Sequence, residues 1–256
     1  MNEAPGTLYL VPNTLDFGVD DGAEPASLDE VLPLGVLRVA ARLEHWVAEN
    51  ARTTRAFLKR VDRLVPLARP LQQIVIVELP RPAKGAKAAP ALDFAAWLEP
   101  LRGGADVGLI SEAGLPAVAD PGAALVQAAH LAAIPVVALP GPSSLLLALA
   151  ASGLNGQSFA FVGYLPVDSA ARAARIRELE ALSRRGQTQL MIETPYRNPA
   201  LLDALLAHLQ AGTRLSVSCG LTTAEGFTRT DSVARWREAP IALRTDRPAV
   251  FAFLAG

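Results

Sequence analysis

The chain has 256 residues, 51% of them hydrophobic, which is enough apolar mass for one large domain or two modest ones. Its 24 Lys and Arg stand against 25 Asp and Glu, so bulk charge demands neither a nucleic acid nor a membrane as partner. The single cysteine, Cys219, excludes an internal disulfide, and with only three histidines no metal site is expected.

Residues 6–12, G-T-L-Y-L-V-P, read as a first strand ending at a proline. Residues 13–33 are rich in Asp, Gly and Pro and read as a long loop. Helical spacing of apolar residues follows at 34–43, then a short strand at 46–49 and a basic amphipathic helix at 52–61. Residues 74–79, I-V-I-V-E-L, are the clearest β run. Residues 80–90 read as an exposed connection, and 92–101 as a helix perturbed at Pro100. Strands at 107–110 and 135–139 enclose a helix at 123–133, a βαβ unit. After Pro140-Gly141-Pro142, Ser143 is the expected N-cap of a helix at 145–151 that Gly153 stops. Strands at 159–162, 189–193, 215–219 and 250–253 and helices at 170–185 and 199–210 follow, with Asp168 and Gly186 bounding the longer helix. The alternation predicts an α/β fold in two domains: 1–141 with a parallel sheet and 142–256 with a mixed one. The polar residues 1–6 do not resemble a signal peptide, and prolines interrupt the apolar region 134–154, so a soluble cytoplasmic protein without a membrane span is expected.

Two loops follow strand ends on the same edge of the first sheet, where open α/β sheets bind ligands. The first is Ser111-Glu112-Ala113-Gly114-Leu115-Pro116 with Asp120-Pro121-Gly122; its small residues admit a ligand to the backbone, and Glu112 adds a carboxylate. The second, Pro140-Gly141-Pro142-Ser143-Ser144, opens a helix with amides and hydroxyls. Each also reads as ordinary turn punctuation. No G-x-G-x-x-G follows the first strand and no G-x-x-x-x-G-K-[ST] occurs, so nicotinamide and ATP lose their usual support.

With these loops in this order, the chain resembles the tetrapyrrole methylase superfamily of S-adenosylmethionine (SAM)-dependent methyltransferases. Within it, the chain looks most like the bacterial branch that methylates a ribose 2′-hydroxyl of 16S ribosomal RNA. Residues 6–12, 109–116 with 120–122, 139–144, Gly163-Tyr164-Leu165-Pro166 and Glu193-Thr194-Pro195-Tyr196-Arg197 carry the resemblance. It implies two α/β domains with SAM in the cleft between them, and a homodimer. It also implies that Ser111, Glu112, Ala113 and Gly114 line the cofactor from the first domain, and Ser143, Ser144, Leu165 and Thr194 from the hinge and second domain.

The substrate side departs from that branch. P-T-P-I-G-N-L becomes Pro12-Asn13-Thr14-Leu15-Asp16-Phe17-Gly18, E-D-T-R becomes Glu49-Asn50-Ala51-Arg52, and E-L-T-K becomes Gly220-Leu221-Thr222-Thr223. Glu78-Leu79-Pro80-Arg81-Pro82 stands where that branch is acidic and histidine-rich. The chain thus reads as a divergent paralogue that keeps methyl transfer, with ribosomal RNA or the small ribosomal subunit as expected partner. A porphyrinoid C-methyltransferase and a SAM-binding protein without catalysis are the alternatives.

A hydroxyl acceptor needs its proton taken or its charge stabilised. Glu49 and Arg52, after a strand on the site edge, and Glu193 are the candidate catalytic residues. An exposed helix-start carboxylate, favourable by the dipole alone, explains Glu49 more simply. Residues 143–256 carry twelve Arg, no Lys and nine acids, a net of +3, with Arg172, Arg175, Arg184 and Arg185 on or near one helix. Arg52, Arg55, Lys59 and Arg60 form a second basic face nearer the site. Both suit phosphates, and both suit a solvated surface.

Overall fold

Short apolar runs build two five-stranded sheets, ordered so that each buries both faces under helices. The computed structural model describes residues 4–16, 27–80 and 94–256. The chain divides into two compact units, Met1–Pro142 and Ser143–Gly256.

In the first unit the elements run β1 (Leu8–Leu10), α1 (Leu34–Arg42), β2 (His45–Ala48), α2 (Ala51–Asp62), β3 (Val75–Glu78), α3 (Ala95–Arg102), β4 (Val107–Ile110), α4 (Ala123–Leu131) and β5 (Val136–Ala138). The sheet order is β3-β2-β4-β1-β5 and every pairing is parallel. β4 and β5 are therefore not neighbours: β1 lies between them, with Tyr9 opposite both Gly108 and Val137. Side-chain alternation splits the core. Trp46, Ala48 and Ile110 pack with α1 and α2, while Val47, Val107 and Leu109 pack with α3 and α4. Asn50 caps α2, accepting the N–H of Arg52 at 2.9 Å and of Thr53 at 3.4 Å. α4 stops two residues before the expected end because Ala133 turns to φ 53° and the Ile134 N–H closes on the Ala129 carbonyl.

The loop expected at 13–33 contains a 3-10 turn, Leu28–Glu30, whose Leu28 is buried in the core. Residues 17–26 of that loop, most of the expected connection at 80–90, and the start of the helix expected at 92 lie outside the described residues.

The second unit runs α5 (Ser144–Ser152), β6 (Phe159–Phe161), α6 (Ser169–Ser183), β7 (Thr188–Glu193), α7 (Asn198–His208), β8 (Arg214–Cys219), β9 (Phe227–Ser232), α8 (Val233–Glu238) and β10 (Ala249–Leu254). Its sheet, β6-β7-β10-β8-β9, is mixed: β6 and β7 are parallel, and the other pairs antiparallel. Phe251 and Phe253 face α6, α7 and α8, while Val250 and Ala252 face α5. Asp168 caps α6 by accepting the Ala171 N–H at 2.8 Å, and Gly153 ends α5 at φ 66°.

β9 and α8 are the elements the sequence reading missed. β9 reads F-T-R-T-D-S, with no residue fully buried; as an edge strand it is held by its backbone ladder to β8 and needs no apolar run. α8 has six residues, too few to show a period, and is pinned by Trp236, whose indole N–H donates to the Leu215 carbonyl at 2.8 Å.

Candidate functional site at the carboxyl edge of the first sheet

Because all five strands of the first sheet are parallel, the chain leaves every one of them at the same edge. Four of these exits interlock. After β1, the Asn13 N–H donates to the Gly114 carbonyl at 2.9 Å and the Gly114 N–H returns to Asn13 at 3.2 Å, an isolated antiparallel bridge. The Asn13 side-chain amide donates to the carbonyls of Ser111 at 3.3 Å and Glu112 at 3.0 Å. After β2, Glu49 Oε2 accepts the Glu112 N–H at 3.1 Å, and Asn50 Nδ2 donates to Glu112 Oε1 at 2.8 Å. After β5, Gly141 lies against the Pro12 ring so closely that a methyl group there would overlap it.

Gly114 sits at φ +68°, where a Cβ would meet Leu15 Cδ2 at 3.3 Å and the Pro142 carbonyl at 3.5 Å. Ala117 and Ala119 also hold positive φ, 65° and 63°. A side chain in that region is strained, and such strain persists where the surroundings over-determine the backbone, as at ligand-binding loops.

Three carboxylates gather here. Burial, then the neighbouring charge of Glu49 and, less, of Glu112, pushes Asp120 up from 3.8 to about 6; a hydrogen bond from the Ser111 hydroxyl works the other way. Among the described residues, none of Glu49, Glu112 and Asp120 is in an ion pair. Such an edge favours a ligand carrying positive charge. A sulfonium beside an ammonium group fits that requirement; the small side chain of half-buried Ala113 leaves its backbone approachable, whereas Gly114 is buried with both backbone groups bonded to Asn13. Among the described residues no set of His, Cys, Asp or Glu is placed to hold a metal ion.

Arg52 lies in the first turn of α2, exposed, one turn beyond Glu49. In the second unit, Glu193 ends β7 with its side chain 2% exposed; Oε1 accepts the Thr194 N–H at 2.8 Å and hydroxyl at 3.3 Å, and Oε2 lies 3.1 Å from Arg197. Both its oxygens are committed to the turn at 194–197. Ser143 occupies the N-cap of α5, but its hydroxyl makes no cap bond and Ser144 begins the helix. Leu165 is buried in the core of the second unit, which leaves only its backbone to meet a ligand. Ser111, Glu112, Ala113 and Gly114 thus share one edge with Glu49 and Arg52, whereas Ser143, Ser144, Leu165, Thr194 and Glu193 belong to the other unit.

Asn13, Asn50 and Asp120 were not singled out from sequence as site residues. Asn50 is legible locally as a helix cap, but its bond to Glu112, 62 residues on, is not. Asp120 was read within the first loop, without a role of its own.

Residues 29–234 match the family model for tetrapyrrole (corrin/porphyrin) methylases. The chain belongs to the tetrapyrrole methylase family. It is 30% identical, over 240 residues, to the ribosomal RNA small subunit methyltransferase I of Halalkalibacterium halodurans, which takes in 92% of this chain and 73% of that one. It is 41% identical over 109 residues to the protein of the same name in Pseudomonas aeruginosa (43% of this chain, 36% of the relative). It is 40% identical over 129 residues to that of Mycobacterium tuberculosis (50% of this chain, 44% of the relative). These last two matches span less than half the length of the relatives. A solved uroporphyrin-III C-methyltransferase from Thermus thermophilus shares the fold, with a TM-score of 0.52 at 20% identity, covering 97% of this chain and 92% of that one.

Proposed function

We propose that the chain is a SAM-dependent methyltransferase acting on a ribose oxygen of RNA, with small-subunit ribosomal RNA as the acceptor. The observation that carries the cofactor reading is the interlocked edge itself, where Asn13, Glu49 and Asn50 fix a strained loop whose Glu112 and Asp120 stand with Glu49 as three carboxylates in no ion pair. The acceptor reading is supported by the names of the relatives from H. halodurans, P. aeruginosa and M. tuberculosis.

SAM, when bound, supplies an electrophilic methyl group for an in-line displacement. The residues of this chain have then to hold, align and deprotonate. Ser111, Glu112, Ala113 and Gly114 are the proposed cofactor contacts of the first unit. Ser143, Ser144, Leu165 and Thr194 are proposed contacts on the family resemblance. Alignment of acceptor and methyl group can supply roughly 7–11 kcal/mol of the barrier. Glu49 spends one oxygen on the Glu112 N–H; its other oxygen is the proposed proton acceptor for the ribose hydroxyl. Arg52 is the proposed stabiliser of the developing alkoxide charge. Glu193 positions Thr194 through the turn it holds. A cytoplasmic location is part of the same proposal and rests on the ribosomal RNA acceptor; among the described residues no helix is long and apolar enough to cross a membrane. A homodimer is part of the same proposal, on the family resemblance alone.

Calorimetry with SAM and its demethylated product, S-adenosylhomocysteine, is expected to show micromolar or tighter binding. Incubation with methyl-tritiated SAM and small ribosomal subunits is expected to label RNA. The labelled nucleotide should resist alkaline cleavage at its 3′ side, because that cleavage needs a free 2′-hydroxyl. Label in a porphyrinoid fraction instead would assign the chain to tetrapyrrole carbon methylation. Binding without transfer to any fraction would make it a SAM-binding protein without catalysis.

A further inference from the structure

The arginines of the two units do different work. In the second unit, most are tied to partners. Arg175 pairs with Glu178, Arg197 with Glu193, Arg235 with Asp231, and Arg244 with Glu225 and Asp246. Arg229 lies 4.1 Å over the Trp236 ring, and Arg237 donates to the carbonyls of Leu206 and Leu209 at the end of α7. Arg172, Arg177, Arg184 and Arg185, on and just beyond α6, are in none of these pairs, and the last three are exposed.

On α2 four cations form one row. Thr54, Phe57, Leu58 and Val61 are its buried face. At 100° per residue they fall in one arc, and Arg52, Arg55, Lys59 and Arg63 fall in the opposite one. All four cations are exposed. Among the described residues, none of the four is in an ion pair. Asp62, the helix's only acid, flanks them and is occupied by the Leu67 N–H at 3.0 Å. Arg60, which the sequence placed on this face, turns aside to Asp16 at 3.0 Å, and Arg63 takes its place. The row rises roughly 16 Å along the axis, in steps of about 6 Å or less, from a first member one turn beyond Glu49.

We propose that this row on α2 is a docking track for an RNA backbone, with Arg55, Lys59 and Arg63 each meeting a phosphate while Arg52 stands at the methyl-transfer edge. A run of uncompensated point charges at near-even spacing matches a polyanion, and helix-borne cations position a strand without reading its bases. The proposal rests on the RNA reading above and adds the surface that reading lacks.

The test is the triple variant R55Q/K59Q/R63Q, with R177Q/R184Q/R185Q on and just beyond α6 as a charge-matched control. Binding to a 16S ribosomal RNA transcript is followed from 50 to 200 mM salt. The α2 variant is expected to lose at least tenfold in affinity at 100 mM salt. Its slope of log K against log salt should shrink by about 2, near the 0.7–0.9 per lost phosphate contact. Its melting temperature and its affinity for SAM should match the parent, and the control should keep the parent's slope. Three results overturn the track: a parent-like slope in the α2 variant, an equal loss in the control, or a parent that binds phosphatidylserine vesicles but not RNA. SAM calorimetry on the same samples judges the methyltransferase reading separately, so failure of one is distinct from failure of the other.

Discussion

Glu49 accepts the main-chain N–H of Glu112 across 3.1 Å, tying the end of β2 to the end of β4. Removing that acceptor leaves a part-buried donor unmatched and frees the loop. Glu49→Ala should weaken SAM binding at least tenfold and lower stability by about 1–2 kcal/mol. Glu49→Gln keeps an acceptor oxygen and should bind SAM within about threefold of the parent while losing methyl transfer. Tight binding by the alanine variant would show that the loop holds itself.

Asp120 gives the site a pH signature. Its folded-state value, about 6, lies above the ordinary 3.8, so the folded protein keeps a proton that the unfolded chain has lost. The stabilisation is complete below about pH 4 and disappears as pH rises through about 6. Asp120→Asn should therefore melt higher than the parent above pH 6, by about 1 kcal/mol once solvent screening is allowed for, and lose the advantage at pH 4. A cation at the edge favours ionised Asp120, so SAM affinity should climb between pH 5 and 7 with release of a proton. Calorimetry in buffers of different ionisation enthalpy reads that proton; a flat profile removes Asp120 from the site.

Asn50 acts with both ends of its amide: the oxygen caps α2 and the nitrogen donates to Glu112 at 2.8 Å. Asn50→Asp keeps the cap but sets carboxylate against carboxylate. It should leave the helix intact by circular dichroism and reduce affinity for both SAM and S-adenosylhomocysteine about tenfold. Asn50→Ala loses the cap as well and should cost about 0.5–2 kcal/mol of stability. Equal affinities in parent and Asp variant would make Asn50 a cap alone.

Gly114 and Gly141 should respond to alanine for different reasons. Gly114→Ala places a Cβ in the left-handed region, at about 1–2 kcal/mol, with Leu15 close by. Gly141→Ala drives a methyl group into Pro12 and should cost about 2–3 kcal/mol, as overpacking does. Urea unfolding orders the two; a silent Gly141→Ala would mean that the loops after β1 and β5 part easily.

Glu193 separates structure from chemistry in the second unit. Glu193→Ala leaves Arg197 without its carboxylate and should cost about 3 kcal/mol. Glu193→Gln keeps an acceptor for Thr194 and should cost less than half of that. Loss of turnover in the Gln variant at unchanged stability and SAM affinity would return Glu193 to a role in proton transfer.

Most elements were legible because apolar periodicity survives where a helix buries a face, as in 52–61, and because β-branched runs such as 74–79 favour strands even with Val75 and Val77 exposed. The edge strand β9 carried no such mark. The loop around Glu112 was legible through its small residues and its family likeness, but not through its supports. Asn13 and Asn50 stood out only as departures from a pattern, since hydrogen bonds spanning 99 and 62 residues leave no local trace. Charge was the least legible property: the sequence offered basic faces on both α2 and α6, but not which cations are paired, such as Arg60 with Asp16.

The supports of the Glu112 loop come from the ends of β1 and β2, the two strands that flank β4. The loop therefore has no local precursor: its shape needs three strands distant in sequence to have paired first. Any small molecule captured there acts as a latch on the finished sheet, slowing its opening as well as occupying it.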